Sequence, residues 1–398
     1  MPHLRHRYLE NAIRKALRFS PIVGILGQRQ TGKTTLLRSL VGSSYASLDD
    51  FEVLQGAELN PKAFLADRAI PFGVDECQLA PPLFPALKLH VQENRRPGQF
   101  LLTGSVRFTS RKAIRESLTG RIFNLELLPL TITEAKGLPL NDIFAWIRQP
   151  VGKIEAMVRV RRAAISEREL SEFTARGGLP GIAFVRDAAI RRAKLGAHLE
   201  TLLERDIRLL FPTTLPTARL RLLLVALAQN QGLPISASDL SRQVRVSAPT
   251  LKRLLSAFES LFLIRRVLPM GDRKRDTYYL EDQGMADFLA DPPGNHQNIL
   301  RIAFSQLFSQ LRYHYPADGH CFAYESRGGA RVPIVLRAAG REIGVIPVPG
   351  EAADRSAQLS AESFLRRRPG AFVAILTKGT TVSRLKKNII AMPLVGAI

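Results

Sequence analysis

Gly27, four further residues and then Gly32-Lys33-Thr34 form the first arrangement in this 398-residue chain whose types and spacing do chemistry. Two glycines at this separation let the backbone curl so that successive N–H groups converge on one anion. Lys33 adds a point charge beside the β- and γ-phosphates of a nucleotide. The Thr34 hydroxyl is placed to ligate Mg2+. The residues expected to line the loop are Gly27, Gln28, Arg29, Gln30, Thr31, Gly32, Lys33, Thr34 and Thr35. The bland alternative is a glycine turn with no ligand.

A second cluster lies in PFGVDECQ, where Asp75 and Glu76 close an apolar run. An acid at the end of a buried strand holds the Mg2+ shell. Its neighbour Glu76 is then placed to polarise an attacking water as general base. Gln78 orients water or caps the loop. Thr103-Gly104-Ser105 ends another apolar run, where Thr103 is expected to sense the γ-phosphate or to make a plain turn.

These groups need a scaffold that brings strand ends together. Ile22 to Leu26 is apolar, β-branched and too short for a helix, so it reads as a buried strand. Thr34 to Val41 reads as the helix after the loop, adding its positive end to the phosphates. Tyr45 to Leu48, Pro71 to Val74, Phe100 to Leu102 and Ile122 to Leu127 read as further strands, with a helix over Pro81 to Asn94. Strands alternating with helices imply a mostly parallel α/β sheet covered on both faces. The texture changes after Glu134. Ser166 to Leu210 reads as mainly helical, and short strands return beyond Asp291-Pro292-Pro293-Gly294. Four segments are expected: the nucleotide domain (1–135), a helical connector (136–214), a second helical domain (215–292) and a small α/β tail (293–398).

Lys and Arg number 57 against 35 Asp and Glu, a net charge of +22. Such an excess favours a polyanionic partner, DNA above all, although an Arg-rich proteome also yields basic proteins. Hydrophobic residues at 45% and charged ones at 23% describe a globular chain. Cys77 and Cys321 make no disulfide framework, which points to the cytoplasm. No apolar run reaches the ~18 residues of a membrane helix. Secreted scaffolds and membrane spans are therefore disfavoured. The histidines and cysteines show no zinc spacing, and His3 and His6 read as terminal residues.

Within 215–292 the pattern suggests a winged helix. Ser236 caps a helix through Val244, Arg245-Val246-Ser247 turns, and a second helix runs from Pro249 to Leu261. Ile264 to Val267 and Thr277 to Leu280 pair as the wing. Arg242, Arg245, Lys252 and Arg253 lie on or near the recognition helix, and Arg273, Lys274 and Arg275 on the wing turn. Phosphate or base contacts form at such positions, although winged helices also serve protein contacts.

Taken in order, the phosphate loop, SLDD (Ser47 to Asp50), DECQ, TGS from Thr103, SLTGR (Ser117 to Arg121), PLTITEA from Pro129, GGLP (Gly177 to Pro180) and ERDI (Glu204 to Ile207) resemble a prokaryotic AAA-type ATPase family. Its members join an ATPase module to a C-terminal region of unknown function. The resemblance covers most of residues 10–290. It implies ATP and Mg2+ as cofactors and an additional strand between the two phosphate-site strands. Arg121 matches a family arginine, which contacts the γ-phosphate in its own chain or a neighbour's, or forms a surface salt bridge. Arg205-Asp206 match a further pair and read as an intramolecular ion pair. Many relatives carry a restriction-endonuclease-like tail with an acid on one strand and Glu-x-Lys on the next. Here those positions fall on Pro333, Pro347 and Pro349, so a degenerate, non-cutting tail is expected, with Lys378, Lys386 and Lys387 as a basic surface.

The reading is a cytoplasmic Mg2+-dependent ATPase coupling nucleotide state to action on DNA or a DNA-associated partner. The alternative is a slow ATP-binding regulatory or defence switch acting on a protein. A nuclease with an ATPase motor ranks third. A homo-oligomer and a protein partner stay open.

Overall fold

The computed structural model describes residues 4–108, 118–272, 274–290 and 295–398. The chain forms two compact units, one of Met1–Pro129 with Ser260–Phe262, the other of Leu130–Glu259 with Leu263–Ile398.

The first unit runs α1 (Leu9–Ala16), β1 (Ile22–Leu26), α2 (Lys33–Val41), β2 (Tyr45–Ser47), α3 (Phe51–Leu59), α4 (Pro61–Leu65), β3 (Phe72–Asp75), α5 (Leu83–Glu93), β4 (Phe100–Gly104) and β5 (Ile122–Glu126). The strands pair in parallel in the order β2-β3-β4-β1-β5. Strand β4 thus lies between β1 and β3, the additional strand that the resemblance implies. Every residue of β1 and β4 is buried, because central strands are covered on both faces. The core on one face includes Val74, Phe84, Leu87, Phe100, Phe108 and, from the three-residue outlier, Phe262. Each fully buried side chain of this size contributes about 1.5–3 kcal/mol.

Helices α3 and α4 were not signalled by apolar periodicity, but their caps are explicit. Asp50 accepts from the N–H groups of Glu52 (3.0 Å) and Val53 (3.2 Å), and Asn60 from that of Ala63 (3.1 Å). This gives Asp50 of SLDD a capping role.

The second unit opens with helices at Ile132–Lys136, Ile143–Trp146, Val151–Ala164, Glu167–Arg176, Pro180–Ala183 and Ala188–Thr201. The last continues through a π-helical turn, Leu202–Asp206, into Ile207–Leu210. Arg205 pairs with Asp206 at 3.1 Å, as expected of ERDI. Thr131 and Glu134 of PLTITEA form a reciprocal capping box, as do Ser166 and Glu169.

Helices Thr217–Gln229, Ala237–Val244 and Ala248–Ser260 follow, then the antiparallel pair β6 (Ile264–Gly271) and β7 (Thr277–Leu280). Strands β8 (His320–Glu325), β9 (Arg331–Ala338), β10 (Arg341–Pro347), β11 (Phe372–Thr377), β12 (Ser383–Lys386) and β13 (Ile389–Pro393) join them in one mixed sheet, ordered β12-β13-β11-β10-β9-β8-β6-β7. Strand β6 pairs with β7 through residues 264–267 and with β8 through 268–271. The sheet therefore crosses the boundary expected near residue 292; residues 291–294 lie outside the described residues.

Helix Arg355–Arg367 links β10 to its parallel neighbour β11. A long helix (Asn295–His314), an antiparallel meander β8-β9-β10 and this crossover give the α/β tail its order. Prolines inside a sheet usually mark edge strands, but here they do not. Strands β9 and β10 are central, and Pro333 is tolerated because the β8–β9 ladder shifts register between Phe322 and Tyr324, opposite it. Among the described residues, no helix is long and apolar enough to cross a membrane.

Candidate functional site

Parallel pairing sets the site. Leu26 of β1 stands level with Gly104 of β4 and Glu126 of β5, and Val74 of β3 with Leu102. The Gly27 loop, Asp75-Glu76 and Thr103-Gly104-Ser105 therefore leave the same end of one sheet.

The loop curls between β1 and α2. Gly32, with φ 94°, caps α2 in a left-handed conformation open to glycine. Gln30 also has positive φ, at 65°. The Thr31 hydroxyl donates to the Gln28 carbonyl at 2.8 Å, and the Lys33 ammonium to the carbonyls of Gly27 and Gln28, each at 3.0 Å. Burial pushes the Lys33 ammonium below its ordinary value, with the Glu76 and Asp75 carboxylates opposing. Arg7, itself buried, donates to the carbonyls of Thr31 (2.7 Å) and Leu128 (2.6 Å), bracing the loop from outside.

Asp75 is buried and receives three hydroxyls. Thr34 Oγ1 donates to Oδ2 at 2.7 Å, Tyr45 to Oδ2 at 3.1 Å, and Thr103 to Oδ1. The Thr103 oxygen also accepts from the Glu76 N–H at 3.0 Å. Glu76 adopts a left-handed conformation, φ 52° and ψ 41°. Its Oε2 accepts from Ser105 at 3.1 Å and from the Gln78 amide. The expected residues Lys33, Thr34, Asp75, Glu76 and Thr103 are thus brought together.

Thr34 and Asp75 offer hard oxygen donors at a helix N-terminus, the donor chemistry Mg2+ takes. Among the described residues, no group of three or more His, Cys, Asp or Glu is placed to hold a metal.

Arg121 is placed elsewhere. It immediately precedes β5, whose first residue Ile122 is level with Ile22, the first of β1. Five strand residues, about 16 Å, separate that end from the loop. The contact to a γ-phosphate in its own chain is therefore corrected: an arginine side chain does not span that length. Arg121 donates to the Thr119 carbonyl at 3.2 Å. Ser117 of the same motif lies outside the described residues. A cleft of about 440 Å³ lined by Lys62, Arg68, His90, Arg96 and Phe100 also sits away from the loop, beside the first residue of β4.

Three contributors carried no sequence signal. Tyr45 reaches Asp75 from an edge strand, Arg7 reaches the loop from ahead of α1, and Arg107 lies two residues beyond Ser105. Each is a singleton whose partner is set by tertiary structure.

Residues 19–136 match the model of a family described as "AAA domain", and residues 167–291 one described as a domain of unknown function. Two curated relatives are the uncharacterized proteins Mb2031c of Mycobacterium bovis and Rv2008c of Mycobacterium tuberculosis. Each is 29% identical over 282 residues, which is 69% of this chain and 57% of theirs. The match thus spans little more than half the length of those relatives. Among solved structures, the Walker-type ATPase PABY2304 of Pyrococcus abyssi aligns at 15% identity and TM-score 0.38, covering 71% of this chain and 94% of that one. AMPPCP-bound DnaA of Aquifex aeolicus aligns at 16% and 0.25, covering 63% and 86%. The parallel sheet with β4 between β1 and β3 and the loop between β1 and α2 fit a P-loop NTPase domain, in agreement with the "AAA domain" model matched over residues 19–136.

Proposed function

We propose that this chain is a Mg2+-dependent ATPase whose nucleotide state governs action on DNA. The carrying observation is the convergence of Lys33, Thr34, Asp75 and Glu76 at one sheet end, with Thr34 Oγ1 2.7 Å from the Asp75 carboxylate. Backbone N–H groups of the loop and the Lys33 ammonium bind the phosphates. Thr34 and Asp75 hold Mg2+, which when bound neutralises charge on the transferred phosphoryl group. Thr103 fixes the second oxygen of Asp75 and the backbone of Glu76. The Glu76 carboxylate takes the proton of the attacking water. Arg121 serves a neighbouring subunit's site.

The DNA side rests on the second unit. Helix 217–229, an isolated bridge between Pro234 and Thr277, helices 237–244 and 248–260 and the β6–β7 pair follow the order of a winged helix. Arg242, Arg245, Lys252, Arg253, Lys274 and Arg275 are exposed on it. Arg273 lies outside the described residues. Such a surface suits phosphate contacts.

One observation favours the slow switch. Both Ser105 and Gln78 donate to the same Glu76 oxygen, which restrains the base. Hydrolysis measured with and without single-stranded, duplex and branched DNA tests both readings. Multiple turnovers stimulated by DNA support the motor. Tight nucleotide retention with about one turnover supports the switch. Lack of ATP binding by purified protein overturns both.

A further inference from the structure

The segment after β4 connects two things. Towards the site, Thr103 holds Asp75 and Ser105 holds Glu76. Four residues beyond Thr103, the Arg107 backbone N–H donates to the Ser260 carbonyl at 2.9 Å. The Arg107 guanidinium lies 4.4 Å from the centre of the Phe262 ring and pairs with Glu126, the last residue of β5. Phe262 is fully buried in the core of the N-terminal unit, beside Phe84 and Phe108, and has φ 56°.

Ser260–Phe262 are remote in sequence from everything else in that unit. Ser260 is the last residue of helix 248–260, the helix carrying Lys252 and Arg253, and Phe262 lies two residues before β6. The chain thus returns to the phosphate end of the nucleotide domain for three residues, between the two elements expected to face DNA. A cation over an aromatic face and an ion pair from the guanidinium, and a hydrogen bond from the backbone N–H, all converge on one residue, Arg107. This is more than chain passage requires.

We propose that Arg107 is a positioning residue that couples the nucleotide site to helix 248–260 through the Ser260–Phe262 corner. When phosphate contacts change what Thr103 and Ser105 hold, residues 103–108 shift as one segment. Arg107 carries that shift to the end of the helix. The coupling is reciprocal, so an anion engaging the helix alters nucleotide affinity by the same factor. The inference rests on the nucleotide reading of the site and not on the identity of the macromolecular partner.

The test uses the full chain and amide hydrogen exchange of residues 248–263, with and without a non-hydrolysable ATP analogue and Mg2+. Fluorescent-nucleotide titration is run on the same samples. Wild type should bind the analogue and change exchange in 248–263 by about fivefold or more. Arg107→Met should still bind it but lose the exchange response, and Arg107→Lys should retain much of it. Glu126→Gln, which keeps the shape while freeing the guanidinium, gives a second variant should Arg107→Met fold poorly, and it should blunt the response. Binding without an exchange response in wild type, or an unchanged response in both Arg107→Met and Glu126→Gln, overturns the coupling while leaving the nucleotide site standing. Failure of wild type to bind the analogue overturns the nucleotide reading and the coupling with it.

Discussion

The backbone N–H of Gly178 donates to the Asp282 carboxylate at 2.7 Å, across 104 residues of chain. Asp282 also accepts from the Met285 N–H at 2.9 Å, capping helix Gln283–Leu289. Gly177, with φ 81°, sits so close that a Cβ there would collide with the carboxylate. The GGLP turn thus seats a buried acid.

Burial pushes the Asp282 carboxyl up to about 6, against the N–H groups that favour its charged form. An acid whose pKa is raised on folding stabilises the fold when protonated. That contribution is full below the unfolded value near 4 and falls away as pH rises through about 6. Chemical denaturation of wild type and Asp282→Asn between pH 4 and 7 should show it. The stability difference, wild type minus variant, should shrink by up to about 3 kcal/mol as pH rises to 6, then stay flat. A difference independent of pH would rule out Asp282 as the titrating group.

Lys33→Ala should abolish detectable hydrolysis, because it removes the charge facing the transferred phosphoryl group. Glu76→Gln should bind ATP but turn over about 10²–10⁴-fold more slowly, since the amide takes no proton. Single-turnover kinetics with a binding control separate the two. Normal kcat in Glu76→Gln would remove the general-base assignment.

The convergence of Thr34, Asp75, Glu76 and Thr103 at one sheet end was legible, because these groups sit in short contiguous stretches that each close an apolar strand. Lys33, Thr34 and Asp75 need only the rule that parallel strands end together. Tyr45, Arg7 and Arg107 were not legible, since a lone tyrosine or arginine has no periodic signature. Which of the roles open to Arg121 applies was not legible, because a motif match fixes a residue type but not which end of a strand it occupies. In the tail, strands β9, β10 and β11 stood out as apolar runs. Strand β12, SRLK, is mostly exposed and basic, and shows no apolar alternation.

Mixing tests what remains for Arg121. Protomers carrying Arg121→Ala and protomers carrying Glu76→Gln should partly complement in ATPase assays if the arginine serves a neighbour's site. Activity should then rise with protein concentration. A fully active monomer at every dilution would leave Arg121 a structural residue at the start of β5.

Salt tests the DNA reading. Each phosphate contact releases counterions, so log affinity should fall linearly with log salt, by about 0.9 per contact. Removing Lys252 and Arg253 together should reduce that slope by roughly two. Salt-insensitive binding, measured by fluorescence anisotropy on duplex and branched DNA, would return helix 248–260 to a protein-contact role.

The tail should not cut DNA. Phosphodiester cleavage in an endonuclease-like sheet needs carboxylate oxygens to fix a hard ion and a base to generate hydroxide. Pro333 and Pro347 are buried in β9 and β10 and supply neither, and Pro349 lies exposed just beyond β10. The nearest acid on those strands, Glu342, stands at the opposite end of β10 from Pro347. It is engaged there by Arg337 at 2.7 Å and Arg368 at 3.8 Å. Two guanidinium partners account for that carboxylate without a metal. Incubation of supercoiled, linear and branched DNA with the protein and Mg2+ or Mn2+ should leave every substrate intact, with or without ATP. Clean cleavage that disappears in Glu342→Ala would show that the acid is released from its arginines to bind a metal, and would move the nuclease-motor reading to first place.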